Sequence, residues 1–185
     1  MKNQITKLVL AVCIMAMSTS IFAQKPQNVP YKAGWETDFE DWQVVDVKYQ
    51  SKTWRWKASE TVTITDSKKE NDDWLISPAI NCSGKKSLKV TFNAGWNKAQ
   101  SSNIGLYCAL NYDGNFDTAE WILVEDNIIP DSHPYGFKSD DYLRYSKNVK
   151  VSGKEIHFAI RYHSNNSPED VQNEIRIRRF KVAGK

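Results

Sequence analysis

The sequence has little of what side-chain catalysis draws on. Three histidines occur in 185 residues, and none has the H-E-x-x-H spacing that sets two metal ligands on one helix face. No G-x-S-x-G elbow is present, and no cysteine sits in a nucleophile context. The acids are scattered, so the facing carboxylates of a glycan-processing enzyme are neither marked nor denied. With no constellation of acid, base and nucleophile, the chain reads as non-enzymatic. Cysteine is scarce as well. Cys13 lies in the amino-terminal apolar run, which leaves Cys82 and Cys108. Two cysteines in an oxidising compartment allow one disulfide, and their apolar strand contexts equally suit two small buried thiols. Charge of one sign is missing too: 25 basic residues stand against 22 acidic ones. A nucleic-acid partner would need a clustered basic face. The nearest candidate, Arg176, Arg178, Arg179 and Lys181, reads as a solvated strand face.

What is present begins with a processing segment. Lys2 and Lys7 precede the apolar stretch Leu8 to Met17, and Ser18 to Ser20 break it before Ala23. This is the pattern of a secretory signal peptide over residues 1–23, with cleavage expected before Gln24. The apolar run is too short to span a bilayer, and no transmembrane segment is expected in the mature chain. Cys13 lies inside the run rather than at its end, which argues against a lipid anchor. Removing Lys2 and Lys7 from the 25 basic residues leaves 23 against 22 acids, a net charge of +1. The expected location is secreted, periplasmic or cell-surface associated.

Residues 24–34, with Pro26, Pro30 and Gly34, read as an extended leader. Residues 35–185 then carry an almost unbroken strand pattern. Leu88, Val90, Phe92 and Ala94 alternate with Lys89, Thr91 and Asn93, and Val62 and Ile64 alternate with threonines. Further strands are expected near 39–47, 53–58, 104–111, 121–125, 145–151, 156–163 and 175–182, making about nine or ten in all. Helical turns are expected only at Asp117 to Trp121 and Asp140 to Tyr142. In the last strand Ile175 and Ile177 share one parity and Phe180 and Val182 the other, so a bulge at Arg178-Arg179 is needed to keep one apolar face. The fold class is all-β, a two-sheet antiparallel β-sandwich.

Seven tryptophans and eight tyrosines make the chain aromatic-rich. Most should be core: Trp42, Trp74 and Trp121 lie in strands, and Trp54 and Trp56 share a face that is expected to point inward. Sugars stack on exposed rings. The ligand-binding candidates are therefore the aromatics placed in loops: Trp96 between Ala94 and Ser102, Tyr112 in the acidic connection Asn111 to Asp117, and Tyr135 in Ser132 to Gly136. That acidic connection lacks the glycine position and the closing Glu of a helix-loop-helix calcium site, and reads as a long hairpin loop.

Asp72-Asp73-Trp74-Leu75-Ile76-Ser77-Pro78-Ala79-Ile80, read as an acidic loop feeding a strand, resembles the signature of choice-of-anchor J and cleaved-adhesin domains. These are secreted jelly-roll modules of bacterial surface proteins. Support comes from Leu88 to Phe92, from Tyr112-Asp113-Gly114 ahead of Trp121 to Val124, and from Ile156 to Tyr162. The resemblance implies a jelly roll and a secreted, non-catalytic module for glycan or cell-surface recognition and adhesion. A structural or assembly subunit of a surface complex is the alternative, followed by a glycan-processing enzyme. It also implies calcium near an early Phe-Glu, the paired acids and acids before the last strand, which here gives Glu40, Asp72, Asp73 and Glu174. The sequence departs from the pattern at Val45 to Ser51, where an Asp-rich segment is usual, and at Gln172-Asn173.

Overall fold

The computed structural model describes residues 25–48, 53–58, 60–65, 70–97, 102–130, 133–164 and 174–185. The expected signal peptide and Gln172-Asn173 lie outside them. From β8 (Ser87–Trp96), Leu88, Val90, Phe92 and Ala94 point into the interior while Lys89, Thr91 and Asn93 face out, as the two-residue period requires. The same rule orders the other long strands: β5 (Thr61–Thr65), β6 (Asn71–Ile76), β9 (Ser102–Ala109), β11 (Leu143–Lys150), β12 (Glu155–Ser164) and β13 (Glu174–Gly184). Shorter strands are β1 (Gln27–Asn28), β2 (Tyr31–Lys32), β3 (Gln43–Asp46), β4 (Arg55–Ala58), β7 (Ile80–Asn81) and β10 (Ile122–Glu125). Among the described residues the helical content is two short 3-10 turns, Phe116–Thr118 and Ser139–Asp141, each beginning one residue ahead of the expected position.

Two sheets pack face to face. In sheet 1, β12 is central, with β6 and β7 on one side and β9 on the other; β3 flanks β6, β10 flanks β9, and β1 flanks β7. Sheet 2 runs β11-β8-β13-β5-β4, with β2 also paired to β13. All pairings are antiparallel except β1 with β7. The β-sandwich expected from the sequence is therefore present. Residues 25–34 contribute one short strand to each sheet. They end against the core, where Ala33 and Trp35 are fully buried.

The core between the sheets centres on Phe180, whose ring meets Trp42 at 4.8 Å, Phe92 at 5.9 Å, and Trp35 and Phe158 at 6.4 Å. Phe180 points inward because the register of β13 slips where expected: Arg178 pairs with Asn93 and Lys181 with Thr91, so two residues, Arg179 and Phe180, stand opposite Phe92 alone. Arg179, with φ of 57°, takes up the extra residue. Cys82 and Cys108 are both buried and both free. Burial raises both thiol pKa values, and the Cys82 Sγ donates to the Gly153 carbonyl at 3.4 Å.

Candidate binding surfaces

The paired acids lie in β6 itself, not in a loop before it. Strand alternation therefore sends Asp72 and Asp73 to opposite faces of sheet 1. Asp72 faces outward and accepts both Nε and Nη2 of Arg161 at 2.8 Å, together with the Trp74 indole N–H at 3.0 Å. Arg161 is further held over the Trp74 and Tyr107 rings at 5.3 and 5.9 Å. The Asp72 hydrogen bonds outweigh burial and hold the guanidinium pKa above its ordinary value. Asp73 points between the sheets and is fully buried. Both of its oxygens lack a hydrogen bond among the described residues, and the Asp46 side chain across the β3–β6 pair is partly in the same position. Burial pushes Asp73 up to about 7; the charges of Asp46 and Asp72 add to the shift, while nearby Thr53 and Asn71 pull the other way.

The other two calcium candidates are elsewhere. Glu40 sits in a turn and accepts the backbone N–H groups of Gly34 and Glu36. Glu174 begins β13 in sheet 2; burial pushes its pKa up, but Arg176 and Lys57 outweigh this and bring it down to about 2. The structure thus does not assemble Glu40, Asp72, Asp73 and Glu174 into one coordination set. Among the described residues no group of three His, Cys, Asp or Glu side chains is placed to share a metal ion.

The aromatic candidates also separate. Trp96 is not in a loop: it closes β8, keeps the inward parity of Phe92 and Ala94, and is 2% exposed. Tyr135 lies against it at 5.9 Å and is 51% exposed. Tyr112 belongs to a half-buried layer on the outer face of sheet 1, wedged between Trp121 and His157, with its hydroxyl donating to Gln43. Burial pushes that phenol up to about 12, with Asp113 adding to the effect. Trp74 and Trp121, expected between the sheets, belong to this layer as well, packed with Phe116 and Tyr107 beneath the 110–121 connection. Trp54 is core, but Trp56 on the edge strand β4 is 38% exposed and donates its indole N–H to the Trp35 carbonyl.

A concavity on the outer face of sheet 2 was missed as a site. A groove of about 370 Å³ is lined by Thr91, Asn93, Tyr142, Arg144, Arg179 and Lys181. A second depression of about 400 Å³, lined in part by Tyr31, Lys32 and Lys89, shares Thr91 and Lys181 with it, so the two form one trough. Tyr142 closes one side of the groove. Gly95 leaves room for this, since a Cβ there would stand 3.1 Å from the Tyr142 ring and 3.4 Å from the Gly136 carbonyl. Arg178 stacks on Tyr142 and Arg176 on Phe137, each at 3.6 Å. The sequence signal was the expected bulge, which sets Arg178 and Lys181 on one face.

Neither a protein-family model nor a curated protein matches the sequence. Among solved structures, the chain is similar to the K1 cleaved-adhesin domain of Lys-gingipain from Porphyromonas gingivalis W83, with a TM-score of 0.57 at 11% identity over 84% of this chain and 98% of that one. The K3 domain of the same protein gives 0.57 at 12% identity, with the same coverage. TmCBM61, solved with β-1,4-galactotriose, gives 0.50 at 16% identity over 83% of this chain and 95% of that one. At such identities the likeness establishes the sandwich fold and nothing finer.

Proposed function

We propose that this chain is a secreted, non-catalytic binding module of the choice-of-anchor J and cleaved-adhesin type that recognises glycan at a cell surface. The observation that carries the reading is the trough on sheet 2, where amide, hydroxyl, guanidinium and aromatic groups converge on an open strip. Sugars require that combination, because their hydroxyls need paired donors and acceptors while their C–H faces pack on rings. The fold neighbours include a carbohydrate-binding module and adhesin domains, which accords with this reading. The test is a glycan array run with and without calcium. Wild type is expected to give a defined set of binders, and Asn93→Ala with Tyr142→Ala to weaken them at least tenfold. An array with no binder sinks the proposal.

A second reading, as an assembly subunit, rests on β10. Among the described residues this strand pairs only with β9; Ile122 and Leu123 within it are 55% and 51% exposed, and Leu110 after β9 is 44% exposed. Unpaired backbone with an apolar fringe is a template for strand addition. If β10 mediates assembly, Leu123→Lys should convert a self-associated form to monomer in sedimentation; a monomeric wild type at every concentration removes this reading.

A further inference from the structure

From the bulge in β13 we infer that the ligand of the sheet-2 trough is an anionic polysaccharide, one bearing carboxylate or sulfate groups along a chain. This rests on the glycan reading above and adds the charge of the ligand to it.

Register places the groups. Arg144 of β11 and Arg178 of β13 both pair with Asn93, so the three stand in one rung across neighbouring strands. Ser146, Thr91 and Lys181 form the next rung. Strands lie about 4.8 Å apart and alternate residues about 7 Å apart along a strand, so the two rungs span about 10 by 7 Å. Each rung has a neutral hydrogen-bonding side chain at its centre and a cation on the β13 side. Without the extra residue at Arg179, the side chains at 178 and 181 would fall on opposite faces. The bulge thus keeps Lys181 on the face of Arg178; Arg179 and Lys181 line the groove, and Lys89 and Lys32 continue the positive strip into the adjoining depression.

These cations are largely uncommitted. Glu60 takes Lys32 and, at 3.4 Å, Arg179. Arg176 is held by Glu174 at 2.8 Å. No ion pair among the described residues involves Arg144, Arg178 or Lys181. The Arg178 Nε is enclosed without an acceptor among those residues. Its guanidinium carbon stands over the Tyr142 ring, 3.6 Å from the centroid. A guanidinium fixed over a ring can meet a carboxylate or sulfate only through its terminal Nη groups, with little ordering left to lose. Since the expected mature chain has a net charge near zero, this positive strip is a local arrangement. The shape favours a polymer over a compact anion, because the trough is open and runs through two joined depressions. The amide of Asn93 and the hydroxyls of Thr91 and Ser146 suit sugar hydroxyls better than a bare polyanion.

The test measures binding of the full mature chain to dextran, carboxymethyl-dextran and dextran sulfate, with polyglutamate as a non-saccharide polyanion. The anionic dextrans are expected to bind at least tenfold more tightly than dextran and polyglutamate. Arg144→Ala with Lys181→Ala should remove that preference, while Lys85→Ala with Lys86→Ala, which deletes the same charge at the exposed β7–β8 turn, should change it less than twofold. Equal binding of dextran and its charged forms overturns the anionic inference and leaves glycan binding standing. Polyglutamate binding as tightly as the charged dextrans overturns the saccharide part. A control pair that weakens binding as much as the trough pair overturns the location, and no binding to any dextran, together with an empty array, removes the glycan reading itself.

Discussion

Asp73→Asn is expected to stabilise the protein at pH 8 and to leave it nearly unchanged at pH 4. The Asp73 carboxyl is enclosed between the sheets without a hydrogen bond among the described residues, and its pKa rises from 3.8 to about 7 in the folded state. A raised acid pKa means that the folded state holds a proton which the unfolded chain has released. Stability is therefore greatest below about pH 4, falls as pH rises through the interval to about 7, and levels off above it. About three pKa units correspond to roughly 4 kcal/mol at most. The neutral amide of asparagine escapes this loss. About 2–4 kcal/mol at pH 8 is a rise in Tm of about 5–10 °C for a domain of this size. The measurement is a set of thermal or urea melts from pH 4 to 8 in a chelating buffer. Parallel curves for wild type and variant would show that Asp73 is not held protonated by the fold.

Phe180→Ala should produce the largest loss of stability. Phe180 is fully buried, touches four aromatic rings from both sheets, and follows the left-handed Arg179 of the bulge. Rigid aromatic neighbours on all sides cannot collapse into the space, so the cavity term adds fully to the lost transfer energy. A cost of about 3–5 kcal/mol is expected. That lowers Tm by about 10 °C or more. Phe180→Leu, which keeps most of the volume, should recover more than half of it. A loss below 1 kcal/mol by chemical denaturation would mean that this residue is not the hub the geometry describes.

Local periodicity made much of this architecture legible. β5 spans the residues that the alternation of Val62 and Ile64 marked, and the parity break between Ile177 and Phe180 located the bulge. In β6 the sequence signal fails for a physical reason. Trp74, Leu75 and Ile76 form a continuous apolar run because both faces of that strand are covered, the inner by sheet 2 and the outer by the 110–121 connection. With no alternation to read, the acids ahead of the run looked like a loop, and the opposite fates of Asp72 and Asp73 were hidden. Trp96, expected in the loop after Ala94, instead ends β8, where Gly95 makes room for Tyr142.

The amino-acid order by itself determined the fold class, most of the strands, which parity of each is apolar, and where β13 bulges, since all of these follow from near-neighbour chemistry repeated every two residues. Only the tertiary structure decided which polar groups meet. Arg161 neutralises Asp72 from 89 positions away, and Arg144, Asn93 and Arg178 form one rung only because β11, β8 and β13 become neighbours. Strand order and register set those meetings, through packing between segments whose separation along the chain carries no local signal.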